Sequence, residues 1–273
     1  MIKSIKMVVA VVVYNMNCHD SLTCNALEQI QNEDLKVVIY DNSTRNFGNM
    51  EYCKRLGWDY LGGQGNVGIS KAYNAVIDDI QQEPGVELVC LFDDDTQLEP
   101  EYFTLLQEAV LKSDANIFTP LIYSGNKLIS PSRISPSYQI RLFDTEQQAL
   151  TYEGMDKTAI NSGMALRLSL FEHYRYDENI FLDGVDHKFL SDMRQRGEKI
   201  CVFPYCCNHM FSGNSMPSKE SAISRFRILK KDYNYILKNN RSSYWSMMIR
   251  RVLHLTYQYR TSVFIRILLQ KNN

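Results

Sequence analysis

The sequence predicts an α/β protein with a mostly parallel sheet flanked by helices and a C-terminal helical extension. Short β-branched runs alternate with stretches of helical periodicity, the pattern of strands joined by crossover helices. Several of these runs end in polar or acidic residues, and the tail beyond residue 219 combines helical periodicity with strong positive charge. Residues 8–14 form a continuous apolar run of the kind buried on both faces of a parallel sheet, and 20–31 carry apolar residues at helical intervals. A second strand is expected over 35–40, ending at Asp41-Asn42-Ser43. A helix over 48–56, a strand over 58–61, a glycine-rich turn and a helix over 68–81 follow. Residues 86–92 read as the next strand and 100–112 as the next helix. Beyond them, 117–123 reads as a strand, the Ser/Pro-rich 130–138 as an irregular loop and 159–166 as a strand. A helix begins over 171–174, another spans 184–196 and stops at Gly197, and 200–203 is the expected last strand. The expected domain covers 1–212, with halves of about 1–112 and 113–212, and the extension covers 213–273.

With 273 residues, 45% hydrophobic and 22% charged, the chain can bury a large α/β core. Its net charge of −1 hides an asymmetry: residues 219–273 carry 12 Lys/Arg against 2 Asp/Glu, a tail of +10 attached to a remainder of −11. Seven cysteines, odd in number and irregularly spaced, point to free thiols in a reducing compartment, and the adjacent Cys206-Cys207 pair makes no zinc motif. The N-terminal residues imitate a signal peptide, but the apolar core over 8–13 is short and 14–17 offers no small-residue cleavage site, so a buried first strand is expected. No segment supplies the ~18 uninterrupted apolar residues of a membrane-spanning helix. The expectation is a cytoplasmic chain, free or at the inner face of a bacterial plasma membrane.

The most informative stretch is Phe92-Asp93-Asp94-Asp95, where an apolar strand ends in three carboxylates. Side chains alternate along extended backbone, so Asp93 and Asp95 can converge on one hard cation, whose open positions ligand phosphates fill. A turn or helix N-cap explains the run equally well when it is taken alone. In an open parallel sheet ligands sit outside the carboxyl ends of the strands, which directs Tyr14-Asn15, Asp41-Asn42-Ser43 and Asp93 to Asp95 toward one crevice. The glycine-rich turn ending at Gly68 leads into a helix carrying Lys71 and Asn74, where backbone N–H groups can meet an anion. It is neither a dinucleotide fingerprint after the first strand nor a P-loop, so dehydrogenases and P-loop kinases are disfavoured.

Taken in order, Val11-Val12-Val13-Tyr14-Asn15, Asp41-Asn42-Ser43, Asn66-Val67-Gly68 with Ala72 and Asn74, Asp93-Asp94-Asp95, and Phe181-Leu182-Asp183-Gly184-Val185-Asp186 with Arg194 and Gly197 resemble the family 2 glycosyltransferases. The resemblance spans roughly residues 5–212, and the last motif is especially similar to the bacterial rhamnosyltransferase-type branch. It implies a GT-A fold and an inverting transfer of sugar from a UDP- or dTDP-sugar to a glycan or lipid-linked acceptor, with Mn²⁺ or Mg²⁺ as cofactor. It places the nucleotide-sugar at Val13, Tyr14, Asn15, Asp41, Asn42, Asn66, Gly68, Lys71, Asn74, Asp93 and Asp94, with Asp41 accepting the imide N–H of the base. Asp93, Asp95 and His209 are the implied metal ligands, Asp186 the general base, and Ser162, Gly163 and Asp183 the acceptor side. Asp186 also fits a helix N-terminal acid, and His209 a structural histidine. The branch has Tyr-Tyr then Arg-Asn in its C-terminal helix where this chain has Lys230-Lys231-Asp232-Tyr233-Asn234, which leaves rhamnose and other hexoses open as the donor sugar.

Over 244–269 the apolar residues Trp245, Met248, Ile249, Val252 and Leu253 surround a polar stripe of Arg250, His254 and Gln258 at helical spacing. Such a basic amphipathic helix either lies on an anionic membrane, packs on the domain or forms a dimer. Nothing in the sequence points to nucleic acid as a partner. A sugar-nucleotide-binding subunit without turnover, serving a membrane enzyme, is the alternative function. A nucleotidyltransferase would need a basic, glycine-rich loop after the first strand, where Tyr14-Asn15-Met16-Asn17 stands instead.

Overall fold

The computed structural model describes residues 5–208 and 217–270. Strand β1 (Lys6–Val13) is an interior strand of the main sheet, and seven of its eight residues are buried. Met7, Val9, Val11 and Val13 enter one core layer while Val8, Ala10 and Val12 enter the other, as the two-residue period of a doubly covered strand requires. Next come α1 (Leu22–Gln29), β2 (Leu35–Asp41), α2 (Asn49–Leu56), β3 (Asp59–Gly62), α3 (Ile69–Ile80), β4 (Val86–Asp93) and α4 (Glu101–Lys112). Strands β3, β2, β1 and β4 are neighbours in that order and all parallel. Helices α1, α2 and α4 cover one face through Leu27, Tyr52, Phe103 and Leu106, and α3 covers the other through Tyr73, Val76 and Ile77.

The second half adds β5 (Ile117–Ser124), β6 (Lys127–Ser130), β7 (Ser132–Ile134), β8 (Ile140–Leu142), α5 (Glu146–Thr151), β9 (Lys157–Thr158), β10 (Met164–Arg167), α6 (Val185–Gln195) and β11 (Ile200–Asn208). Antiparallel β10 lies between β4 and β5, and β11 runs parallel to β5 at the sheet edge. The turn before β10 is thereby brought to the carboxyl end of β4, with Gly163 N–H donating to Leu91 O at 2.7 Å.

Five expectations are corrected. The stretch 130–138 is not irregular: it contains β7, which pairs with β8 and β9 in a small second sheet, strands too short for a periodic signal. The strand expected over 159–166 is confined to β10, because 161–163 form the turn that feeds it, and in place of a helix beginning over 171–174 there is a 3₁₀-helix over 168–172. Strand β11 extends beyond 203 through Pro204, where the register with β5 shifts; an edge strand tolerates a residue with no N–H to give. The amphipathic tail is broken into helices. After α7 (Lys219–Ile236) come α8 (Arg241–Tyr259) and α9 (Val263–Leu269), separated where Arg260 adopts φ +48°. These three share their own core of Phe226, Tyr244, Met248, Val252, Phe264 and Ile267. Buried Lys230 ties them together by donating to the carbonyls of Ile267 at 2.8 Å and Gln270 at 2.5 Å.

All seven cysteines are free thiols. Among the described residues no helix is long and apolar enough to cross a membrane.

Candidate functional site

Asp41 closes β2 and is 4% exposed. Its Oδ1 accepts the Ser43 N–H at 3.0 Å, and its Oδ2 accepts Asn49 Nδ2 at 2.9 Å and the Tyr60 hydroxyl at 3.2 Å. Burial, then the Asp41 charge, pushes the Tyr60 phenol up to about 12, so it stays a donor. Asn49 also accepts the Cys18 N–H at 2.9 Å and donates to Met16 O at 3.1 Å, which fastens the loop after β1 to the start of α2. Beside Asp41 opens a pocket of about 320 Å³ whose walls include Ser43, Thr44, Arg45, Tyr60 and Gly63. Gly62 has to be glycine: at φ +127° an added Cβ would lie 2.3 Å from the Asp41 carbonyl oxygen.

The end of β1 is bound to this loop and to the acidic turn. Asn42 N–H donates to Val13 O at 2.9 Å, and Asn15, at φ +51°, donates its N–H to Ser43 Oγ at 2.8 Å and accepts the Thr44 N–H and hydroxyl at 2.9 Å each. The Tyr14 backbone N–H reaches the Asp94 carboxylate. Val13 has its side chain in the core, whereas Tyr14 is 49% exposed.

Strand β4 ends at Asp93, and the following turn is braced from beneath. Ser162 Oγ accepts the Asp93 N–H at 3.3 Å and pairs with Thr96 Oγ1 at 2.5 Å. Thr23 donates to Asp93 O at 2.5 Å and Ser21 donates to Asp94 O at 2.7 Å. Burial, then the Asp95 and Asp93 charges, raises the Asp94 carboxyl to about 6. Burial, then Asp95, pushes the Cys207 thiol up to about 12, which places Asp95 toward the end of β11.

The third element is the segment 181–186, held by α7. Asp232, fully buried on that helix, accepts the backbone N–H groups of Phe181 at 3.0 Å, Leu182 at 2.8 Å and Asp183 at 2.8 Å. Arg225 grips both oxygens of Asp183, Nη2 to Oδ1 at 2.8 Å. Burial raises the Asp183 carboxyl while Arg225 pulls it back down. Asp186 lies in the first turn of α6, and its Oδ1 accepts the His187 N–H at 2.7 Å. Buried Tyr73 on α3 links this element to the acidic turn: burial raises its phenol far above the usual range, and the charges of both Asp93 and Asp186 add to the shift.

The ends of β1, β2 and β4 are tied to one another through Asn42 and Val13, Asn15 and Ser43, and Tyr14 and Asp94, while Asp186 and Asp93 both act on Tyr73. Other residues have different surroundings. Ser162 and Gly163 are buried under the acidic turn and the sheet rather than open to an acceptor, since Ser162 has no exposed surface and a Cβ on Gly163 would lie 2.9 Å from Pro120. The start of α3 is not an open anion cradle. Val67 N–H donates to Asn42 Oδ1 at 2.8 Å, Gly68 N–H to Asn66 Oδ1 at 3.1 Å and Ile69 N–H to Phe181 O at 2.7 Å. A Cβ on Gly68 would lie 2.7 Å from Phe181. Asn74 is buried, donating to Tyr176 O and Glu178 at 3.0 Å each and accepting the Tyr176 N–H at 2.8 Å. Lys71 is exposed. His209 lies outside the described residues.

Asn49, which belongs to no motif, and the distant Asp232, whose stretch the sequence marks only as a departure from the branch, carry much of the scaffolding. The donor set at Asp93 and Asp95 is all hard oxygen, and the crowding that raises Asp94 is what a divalent cation would relieve, so these residues fit Mn²⁺ or Mg²⁺. Among the described residues Asp59, Asp79 and Glu83 form a tight carboxylate cluster, which Lys36 offsets in part, with Nζ 2.6 Å from Asp59.

The family model described as "Glycosyl transferase family 2" matches residues 9–175. No curated protein sequence matches significantly. Among solved structures, S. aureus TarS 1-349 aligns at TM-score 0.53 and 15% identity, over 87% of this chain and 73% of that one. GalNAc-T7, solved with UDP, GalNAc and Mn²⁺, aligns at TM-score 0.60 and 16% identity, over 82% of this chain and 48% of that one. The mannosyltransferase PcManGT from Pyrobaculum calidifontis, solved with GDP-Man and Mn²⁺, aligns at 0.57 and 15%, over 85% and 64%. The chain thus spans between about half and three quarters of the length of these structures, and at such identities the likeness is one of fold.

Proposed function

Because the chain belongs to glycosyl transferase family 2, we propose that it moves a sugar from a UDP- or dTDP-sugar to a hydroxyl of a glycan or lipid-linked saccharide, inverting the anomeric centre, during synthesis of a bacterial surface glycan. The observation that carries this reading is that the loop after β1 is bonded both to the loop beside the Asp41 pocket and to the Asp93–Asp95 turn at the carboxyl ends of the strands, with Asp186 and Asp93 both acting on buried Tyr73. The pocket beside Asp41 takes the base. Asp186 takes the proton of the acceptor hydroxyl as its oxygen attacks the anomeric carbon, and the bond to the diphosphate breaks with its electron pair on the leaving oxygen. Asp93 and Asp95 would hold the divalent ion, which supplies neutralisation of that leaving diphosphate. Mn²⁺ in two of the similar structures, and UDP in one of these, support the donor class.

Nucleotide binding followed by thermal shift tests the reading. UDP or dTDP should stabilise the chain more with Mn²⁺ than without, and Asp95→Ala should weaken the Mn²⁺-dependent part by tenfold or more. Equal responses with and without the ion, in both chains, overturn it.

Membrane attachment belongs to the same proposal. Helix α8 buries Tyr244, Met248, Val252 and Leu255 but exposes Trp245, Ile249, Leu253 and Tyr257 at four-residue spacing. With the +10 tail, this outer stripe suits an anionic bilayer surface. Leu253→Glu combined with Trp245→Glu should abolish sedimentation with phosphatidylglycerol vesicles; unchanged sedimentation removes the membrane contact.

A further inference from the structure

Between α7 and α8 lies a solvent-open cavity of about 560 Å³, separate from the pocket at Asp41. Its walls carry Arg225, Arg251 and His254, with Ser221 and Gln258 as neutral hydrogen-bonding groups and Phe226 beneath. Arg225 also holds Asp183, three residues before Asp186, so one guanidinium joins the cavity to the segment that presents the proposed base. Arg251 is close enough to act on the Asp183 charge from the second helix. Arg225 is engaged by Asp183, on which buried Asp232 also acts, so the Arg251 guanidinium and the His254 imidazole are the open donors of the cavity. Among the described residues Arg251 and His254 have no hydrogen-bonded or ion-paired partner.

A guanidinium and an imidazole gathered at one concavity suit phosphate-type oxygens, because a guanidinium presents a planar fork of N–H groups that matches them. We propose that this cavity binds a phosphate or diphosphate group of the acceptor, with Arg251 and His254 as its principal donors and Arg225 bridging it to Asp183. The proposal rests on the glycosyltransferase reading and deepens it: the acceptor is an anionic, phosphorylated saccharide, and its phosphate sets which hydroxyl lies at Asp186. The volume exceeds that of a single phosphate group, which leaves space for a diphosphate or an adjoining sugar. Position on the molecule agrees, since α8 turns its cavity-lining residues to one side and its exposed apolar stripe to another. A carrier with its lipid in a bilayer and its phosphate in this cavity engages both.

The test uses the full chain with UDP and Mn²⁺ saturating the donor site, and inorganic pyrophosphate as probe at constant ionic strength, chelated Mn²⁺ being replaced. Wild type should show a saturable thermal stabilisation and slowed amide exchange in α7 and α8. Arg251→Gln with His254→Gln should weaken that response tenfold or more while its UDP response stays within twofold of wild type, and Arg251→Lys should retain part of it. An identical pyrophosphate response in the double variant, or none in wild type, overturns the proposal. Loss of the UDP response in wild type would instead strike the glycosyltransferase reading. Vesicles of phosphatidylglycerol separate the sources: if they compete with pyrophosphate for wild type but not for the double variant, the cavity takes bulk lipid headgroups and the acceptor assignment falls.

Discussion

Asp186→Asn should lower kcat by about 10²–10⁴-fold, the range that general-base catalysis contributes, while UDP affinity in the presence of Mn²⁺ stays within twofold of wild type. The two carboxamide-compatible features of the site explain why the fold survives. Among the described residues the Oδ1 of Asp186 accepts the His187 N–H at 2.7 Å, with the His187 Nδ1 at 3.9 Å, and an amide oxygen can accept that N–H equally. Losing a negative charge in the first turn of α6 costs about 0.3–1 kcal/mol from the helix dipole, too little to unfold the domain. What an amide cannot do is take a proton from an attacking hydroxyl. If Asp186 were only a helix-end acid, the variant would lose that small stability increment and keep its turnover. Steady-state kinetics beside urea denaturation separates the two roles, and full activity in Asp186→Asn ends its assignment as the base. A wild-type chain that binds UDP with Mn²⁺ yet turns over no donor would favour a non-catalytic binding subunit.

The parts of the fold legible in the sequence are those whose physics is local. Residues 8–14 and 35–40 are apolar on both faces because both faces are covered, so β1 and β2 show as continuous runs within one or two residues of their observed ends. Helix α3 shows through its helical period, and the acidic turn through its composition. What escaped is held by distant partners. Strands β7 and β9 have three and two residues, and pairing within the small sheet, rather than any pattern of their own, defines them. The glycine-rich turn has the composition of an anion cradle, but Phe181, more than a hundred residues away, occupies the position where an anion would sit. Asn42 and Asn66 share that outcome, since they bond each other at 3.1 Å. Ser162 illustrates the same limit at the acceptor side: the antiparallel entry of β10, invisible in a linear pattern, turns its hydroxyl under the acidic turn.

Asp232→Ala should destabilise the chain by about 3 kcal/mol or more, because a buried carboxylate that accepts three backbone N–H groups would leave all three without a partner. Its consequence extends beyond stability. Those N–H groups belong to Phe181, Leu182 and Asp183, and the Phe181 carbonyl in turn caps α3 at Ile69. Gly184 then opens α6 at φ +77°, packed so closely on Tyr233 and Ile236 that an added Cβ would lie 3.0 Å from the Ile236 side chain. Asp232 is therefore a positioning residue for Asp183 and Asp186, acting through the backbone rather than on substrate. Asp232→Asn keeps the shape and one accepting oxygen, while its NH₂ group faces an N–H it cannot accept, so it should fall between wild type and alanine in both stability and kcat. The readout that a merely structural role would not move is the split between sites. At a temperature where Asp232→Asn is fully folded, UDP affinity should match wild type, since the Asp41 pocket does not contact α7, while kcat falls at least tenfold. Equal losses of UDP affinity and kcat would show a global softening, and wild-type stability in Asp232→Ala would show that these three hydrogen bonds do not hold the segment.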